Sequence, residues 1–335
     1  MMARRANAWR IALLLALAAA ALVFSATSGP RHIPLSALLS PGAADPDARL
    51  FWQLRVPRVC LAFLAGAILG TSGMTFQAMF RNPLADPYVL GVASGASLGA
   101  VLFVQAGLAF TVAGIPGISI FAFLGALGTI VLVYGLARAR AGGFSPATML
   151  LAGVAVNLFF SSLILFLQYM GDFYFTTRVM LWILGGLETV GFDAVLHLLP
   201  FAAVGLLVLV AYGEELNLLS TGEDLSATRG VNVPRVKTVL FLATSLLIGG
   251  AVAITGPIGF VGLMAPHICR LWVGPDHRVL APATLIFGGT FLTLCDTLAR
   301  TVVAPAELPV GVITAILGGP FFIWLLLHRG LDEHG

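Results

Sequence analysis

Residues 55–87, RVPRVCLAFLAGAILGTSGMTFQAMFRNPLADP, form an apolar run of about membrane length, with two arginines at one end and an Asn-Pro/Asp-Pro turn at the other. A run of about 20 apolar residues crosses a bilayer as a helix, because hydrocarbon offers backbone amides no partner except one another. Gly66 and Gly70 stand one turn apart in this run, and Gly91, Gly95 and Gly99 repeat the spacing beyond the turn. Such small residues let helix backbones meet closely in lipid, where no hydrophobic force presses helices together. The run therefore predicts two tightly packed spans joined by a fixed turn, with the arginine pair as a docking point.

The rest of the chain repeats this character. It is 59% hydrophobic and 10% charged, against about 25% charged for a soluble domain. Hydropathy predicts an all-α polytopic membrane protein with about ten spans in one domain, near 11–27, 58–80, 90–108, 115–137, 146–168, 196–212, 237–255, 258–273, 280–300 and 311–328. The eighth, GPIGFVGLMAPHICRLW, is short and rich in Gly and Pro. Interrupted spans of this kind occur where a transporter lines a pathway, so this one reads as a broken or tilted helix. Arg4, Arg5 and Arg10 precede the first apolar run, but no clean Ala-x-Ala site follows it. An uncleaved first span fits better than a cleaved signal.

Charge counting orients the spans. With the N-terminus in the cytoplasm, twelve of the eighteen Lys and Arg residues fall on the inner side and six on the outer, as the positive-inside rule requires. Both termini then face the cytoplasm. The cations are scattered, which argues against nucleic-acid binding. Cys60, Cys269 and Cys295 stand far apart in apolar segments and read as packing residues.

Arg55, Arg58 and Arg300 all fall at outer ends of spans. Snorkelling to headgroups explains any one of them; together they also fit a socket for carboxylates of an external partner, which Arg binds in a bidentate, oriented way. Asp296, one helical turn before Arg300, is placed to hold that arginine. The longest inner connection is 213–236, GEELNLLSTGEDLSATRGVNVPRV. Ser220 and Glu223 have capping-box spacing, Gly230 can stop the short helix they start, and Asn232 can cap the next, with Pro234 in its first turn. This piece reads equally as a partner dock or as a capped connector.

Catalytic constellations are missing. With Lys237 the only lysine and no Gly-Lys pair, no phosphate-binding P-loop exists and the chain carries no energy source of its own. His267, inside the eighth span, reads as a packing residue. Phe173, Tyr174 and Phe175, with Met170 and Met180, fall in the outer loop after the fifth span, where they suit either an interfacial belt or contact with a bulky ligand.

Four runs carry a resemblance: RVPR…GTSGMTFQAMFRNPLADPYVLGVASGASLGA, GPIGFVGLMAPHICR, GPDHRVLAPATLIFGG and AELPVGVITAILGGPFFIWLL. In order and spacing, from Arg55 to His328, the chain resembles the permease subunits of ATP-binding-cassette importers for iron–siderophores, haem and cobalamin. The resemblance implies the ten-span fold of a type II importer permease in a bacterial inner membrane. It implies a homodimer with a second permease copy, or a heterodimer of two similar chains, with two cytoplasmic ATPase subunits below and a periplasmic binding protein above. Arg55, Arg58 and Arg300 match the docking positions. The turn Asn82, Pro83, Leu84 and the start of the fifth span, Ser145, Pro146, Ala147, match a cytoplasmic gate, where Pro146 replaces the usual small hydroxyl residue. The segment 213–236, with Ser220, Glu223, Asp224, Arg229 and Gly230, matches the region that couples to the ATPase. No cofactor is implied on this chain; ATP and Mg are used by the partner.

Within this reading the cargo is a metal chelate, iron–siderophore first, with cobalamin and haem as alternatives. Tyr169 and Tyr174 are the tyrosines placed to face a haem. An ion-coupled secondary transporter is the rival class, but Asp296 is the only deeply placed acid and it lies beside Arg300. A membrane-embedded enzyme lacks the converging polar set it needs.

Overall fold

The computed structural model describes residues 2–29, 33, 45–139 and 146–332. Among them, seven helices are long and apolar enough to cross a membrane. They are α1 (Met2–Thr27), the run that ends in α3 (Val56–Phe80), α5 (Gly117–Ala139), α6 (Pro146–Met170), α8 (Asp193–Ala211), α11 (Val233–Thr255) and α13 (His277–Thr301). Three further apolar helices, α4 (Val92–Gln105), α12 (Val261–Val273) and α14 (Val310–Asp332), stand where the sequence predicts the third, eighth and tenth spans.

The second span begins earlier than its hydropathy indicates. A short α2 (Pro46–Arg49) and a π-helical segment, Leu50–Arg55, run without a break into α3. The wider π turn shifts the helix phase just where the arginines lie. From Ala65 to Phe80 every residue of α3 is buried, as expected for a helix apolar on all sides. It forms the axis on which α8, α11, α12 and α13 pack.

The glycines do bring helices together, but not the two spans that the turn joins: those of α3 meet α13 and α12, and those of α4 meet α5. A Cβ at Gly288 of α13 would lie 2.6 Å from the Gly66 carbonyl of α3, and one at Gly95 of α4 would lie 2.6 Å from the Gly125 carbonyl of α5. These helices cross backbone to backbone, a separation that no larger residue permits.

The eighth span is broken, as its composition predicts. Gly256, at φ 66°, ends α11, and α12 begins only at Val261, after Phe260 at φ 67°. Its 13 residues make a helix of about 20 Å, too short to cross alone. The freed backbone at Ile258 is satisfied by the Tyr88 hydroxyl, which donates to Ile258 O and accepts from Ile258 N, both at 2.8 Å. Irregular backbone survives at this depth only when so partnered.

The outer loop expected after the fifth span is instead a helix, α7 (Phe173–Ile183), started by Asp172, whose side chain accepts from Phe175 N at 2.7 Å. A tight hairpin joins α4 to α5: Thr111 pairs with Pro116 and Val112 with Ile115 around Ala113-Gly114, both at positive φ. The three cysteines are free thiols, and His267 is buried edge-on against Phe321.

Candidate functional site

Two of the three predicted arginines, Arg58 and Arg300, converge on one carboxylate. Asp296 of α13 is wholly buried. Arg58 Nε donates to both of its oxygens at 3.0 and 3.2 Å, and Nη2 approaches Oδ1 at 2.9 Å. Arg300, one turn along α13, donates from Nε to Oδ2 at 3.0 Å, the local pair that the spacing predicts. Arg58 also donates through Nη1 to Glu307 at 2.7 Å. The remaining donors turn toward α1. Arg55 Nη1 donates to Thr27 O at 2.8 Å, and Arg300 to Ser28 O and Ser25 O, each at 3.2 Å. The last carbonyls of a helix have no partner within it and carry its negative end, so two guanidiniums there are stabilising.

The arginines therefore face inward more than the sequence suggests. Arg55 is 6% exposed and Arg300 4%; their donors meet protein carbonyls instead of headgroups. With Arg58, Glu188 and Glu307 they line a cleft of about 590 Å³. The two glutamates balance charge that the sequence left uncompensated. Glu307 lies beyond Arg300 in the α13–α14 connection and Glu188 beyond α7, so no local pattern marks either one.

At the opposite end of α3, Arg81 adopts the left-handed conformation at φ 48°. Asn82 N then bonds back to Gln77 O at 3.1 Å and Arg81 N to Ala78 O at 3.2 Å, closing the helix end in a Schellman turn. The Asn82 side chain accepts from Leu84 N at 2.9 Å, and Asp86 accepts from Tyr88 N at 2.8 Å to start the 3-10 turn Pro87–Leu90. Leu84 is exposed, Asn82 half-buried and Pro83 exposed. This turn is fixed by its own hydrogen bonds. On the second predicted gate segment, Ser145 lies outside the described residues. Pro146 is the first residue of α6, where its fixed φ suits helix initiation and its missing N–H costs nothing; Ala147 is exposed.

Between these ends lies a cavity of about 770 Å³, bounded by Leu84 and Asp86 at the turn and by faces of α4, α6 and α7. Its polar groups are mostly neutral: Ser94 and Ser97 from α4, and Asn157, Ser161 and Gln168 along one face of α6. The one carboxylate is Asp86, whose carboxyl desolvation pushes up to about 6, against the opposing pull of its hydrogen bond from Tyr88 N. Among the described residues, neither histidine nor cysteine lines the wall. Tyr88 does, but its hydroxyl is committed to Ile258, 170 positions away, a role that no local pattern marks.

The segment 213–236 folds as two short helices, α9 (Gly213–Thr221) and α10 (Glu223–Thr228), before α11. The capping box does not form. Ser220 lies within α9 and donates back to Asn217 O at 2.7 Å, while Gly222, at φ 134°, precedes α10, so Glu223 is its first residue instead of its third. The Glu223 carboxylate pairs with Lys237, buried in α11. The other two signals hold. Gly230 N bonds to Ala227 O at 3.0 Å and Val231 N to Ser226 O at 3.1 Å, with Gly230 at φ 86°, and Asn232 accepts from Arg235 N at 3.1 Å. Asp224, Arg229 and Gly230 are exposed.

A second set of contacts, not foreseen, ties α9 to the start of α13. Asn217 Oδ1 accepts from His277 N and faces His277 Nδ1, both at 2.8 Å, while its Nδ2 donates to Asp276 at 2.7 Å. Arg278 forks onto Asp276 at 2.9–3.3 Å and holds that carboxyl well below the usual range. These residues lie about sixty positions apart, beyond the reach of any local pattern.

The sequence profile of the FecCD transport family matches residues 13–328. The chain is 37% identical over 318 residues to the hemin transport system permease protein HmuU of Yersinia pestis, covering 93% of each chain. It is 38% identical over 297 residues to the vitamin B12 import system permease protein BtuC of Escherichia coli, covering 87% of this chain and 88% of the relative. A solved structure described as the inward-facing conformation of a metal-chelate type ABC transporter matches with a TM-score of 0.82 and 32% identity, covering 96% of this chain and 99% of that one.

Proposed function

The chain belongs to the FecCD transport family, and from that premise we propose that it is the membrane permease subunit of an ATP-driven importer that moves a bulky metal chelate into the cell. The cavity carries this reading. Apart from the carboxyl of Asp86, its described lining residues offer amides, hydroxyls and apolar surface, with no histidine or cysteine among them to compete for a metal. Such a wall suits a cargo that brings its own complete ligand shell and is too large for a narrow ion pathway. An iron–siderophore complex is the first choice; the hemin and vitamin B12 relatives make haem and cobalamin the alternatives.

In this scheme the subunit works in a bacterial inner membrane with both termini cytoplasmic, as a dimer with a second copy. A binding protein loaded with chelate docks over the cleft of Arg55, Arg58 and Arg300. Two ATPase subunits, using ATP and Mg, press on α9 and α10 through exposed groups such as Asp224 and Arg229. The turn Asn82, Pro83, Leu84 closes against the start of α6, near Ser145, Pro146 and Ala147, while the other face is open. The two openings exchange because binding at one end and nucleotide at the other bias the same pair of states.

The test is uptake by lipid vesicles that hold the permease, its ATPase and its binding protein. Ferric siderophore should accumulate only when all three and ATP are present. Accumulation driven by an ion gradient without ATPase subunits would place the protein in the secondary-transporter class and end this proposal.

A further inference from the structure

Beside the apolar packing of Leu216 and Leu219 into the core, two polar joints of different kinds tie the coupling segment to the transmembrane helices. One is the ion pair from Glu223 of α10 to Lys237 of α11. The other is the single side chain of Asn217, which holds α9 against the N-terminus of α13 with three short contacts. Its orientation has one solution. The His277 backbone N–H needs an acceptor and the Asp276 carboxylate a donor, so Oδ1 faces His277 and Nδ2 faces Asp276. The His277 ring then carries its proton on Nδ1. That histidine is 4% exposed and Asn217 is half-buried, while Asp276 lies at the partly exposed rim of the joint. The neighbouring tie from Arg278 to Glu214, at 3.3 Å, is exposed on both sides and adds little.

What α13 connects gives this joint its meaning. It runs 25 residues, His277–Thr301, about 37 Å, and carries Asp296 and Arg300 of the arginine cleft in its last two turns. Along the way it is locked to α3 at Gly66 and Gly288, and α3 ends in the Asn82 turn. A displacement of α9 that is passed to His277 therefore reaches both the cleft and the turn through rigid helices.

Resting on the importer reading above, we infer that Asn217 is a positioning residue that transmits movement of the coupling segment into α13. The test uses the full complex of permease, ATPase and binding protein in vesicles, measuring chelate moved per ATP hydrolysed. Asn217→Ala and Asn217→Asp should both assemble, hydrolyse ATP, and move at least tenfold less chelate per ATP. The Asp variant keeps the size and the acceptor oxygen but sets a carboxylate against Asp276. A purely structural role would lower both rates together and leave their ratio unchanged. Wild-type ratios in either assembled variant overturn the inference, and so does failure of both variants to assemble, which would make the joint a folding element. An inactive wild-type complex would instead count against the importer reading itself.

Discussion

Replacing Asp296 by Asn tests the arginine cluster most directly. Asp296 has no exposed surface, and Arg58 and Arg300 together place four donor contacts on its two oxygens. The amide keeps the shape but removes the charge and turns an NH₂ toward a guanidinium, donor against donor. Removing one partner of a buried ion pair costs about 3–5 kcal/mol, because the other charge is left uncompensated. Arg58 retains Glu307 and Arg300 retains the carbonyls at the end of α1, so the lower end applies, about 3 kcal/mol. That is on the order of a hundredfold in the folding equilibrium. Denaturant-induced unfolding of the purified protein in mixed micelles measures it. Arg300→Met should cost less, since Asp296 keeps Arg58, and the double variant Asp296→Asn/Arg300→Met should recover part of the loss through a favourable coupling of about 1–3 kcal/mol. If Asp296→Asn costs under about 1 kcal/mol, Asp296 does not hold the cluster together and the reasoning fails.

Three further outcomes follow from the same structure. Glu223→Gln removes the charge that faces the buried Lys237 ammonium and should lower stability in the same unfolding assay; an unchanged midpoint would contradict it. Gly288→Ala puts a methyl 2.6 Å from the Gly66 carbonyl and should force α3 from α13, whereas Gly128→Ala, with nothing within 4 Å, should be neutral or stabilising by about 0.5–1 kcal/mol; thermal midpoints of the pair compare them. Asp86 titrates near 6 in the folded protein against 3.8 for the free group. Between about pH 4 and 6 the native chain keeps a proton that the unfolded chain has lost, so stability falls as pH rises through that window, and Asp86→Asn should flatten the fall.

How much was legible depends on how far apart the interacting groups lie. The spans and the break before α12 could be read because hydropathy and Gly/Pro content act along the chain itself. The stop at Gly230 and the cap at Asn232 involve partners within four or five residues. The capping box at Ser220 and Glu223 has the right spacing in the wrong register: α9 continues through Ser220, and Gly222 resets the start of α10. Helix α7 was hidden because its aromatic run suits an interface as well as a helix. Glu307 on Arg58 and Asn217 on His277 are 249 and 60 positions from their partners, and nothing local records such distances.

The sequence by itself determined that this chain lives in a membrane as apolar helices and which of them carry glycine for close packing, though not which partners they pack on, because hydrocarbon admits only helices whose backbones are satisfied internally. It also marked Arg55, Arg58 and Arg300 as exceptional cations. Only the tertiary structure decided how they are used. Folding brings Asp296, Glu307 and the end of α1 to them, so what reads along the chain as an open positive socket is a largely buried, charge-balanced cluster. Desolvation forces that outcome, since a guanidinium enters a low-dielectric interior only when carboxylates or carbonyls come with it.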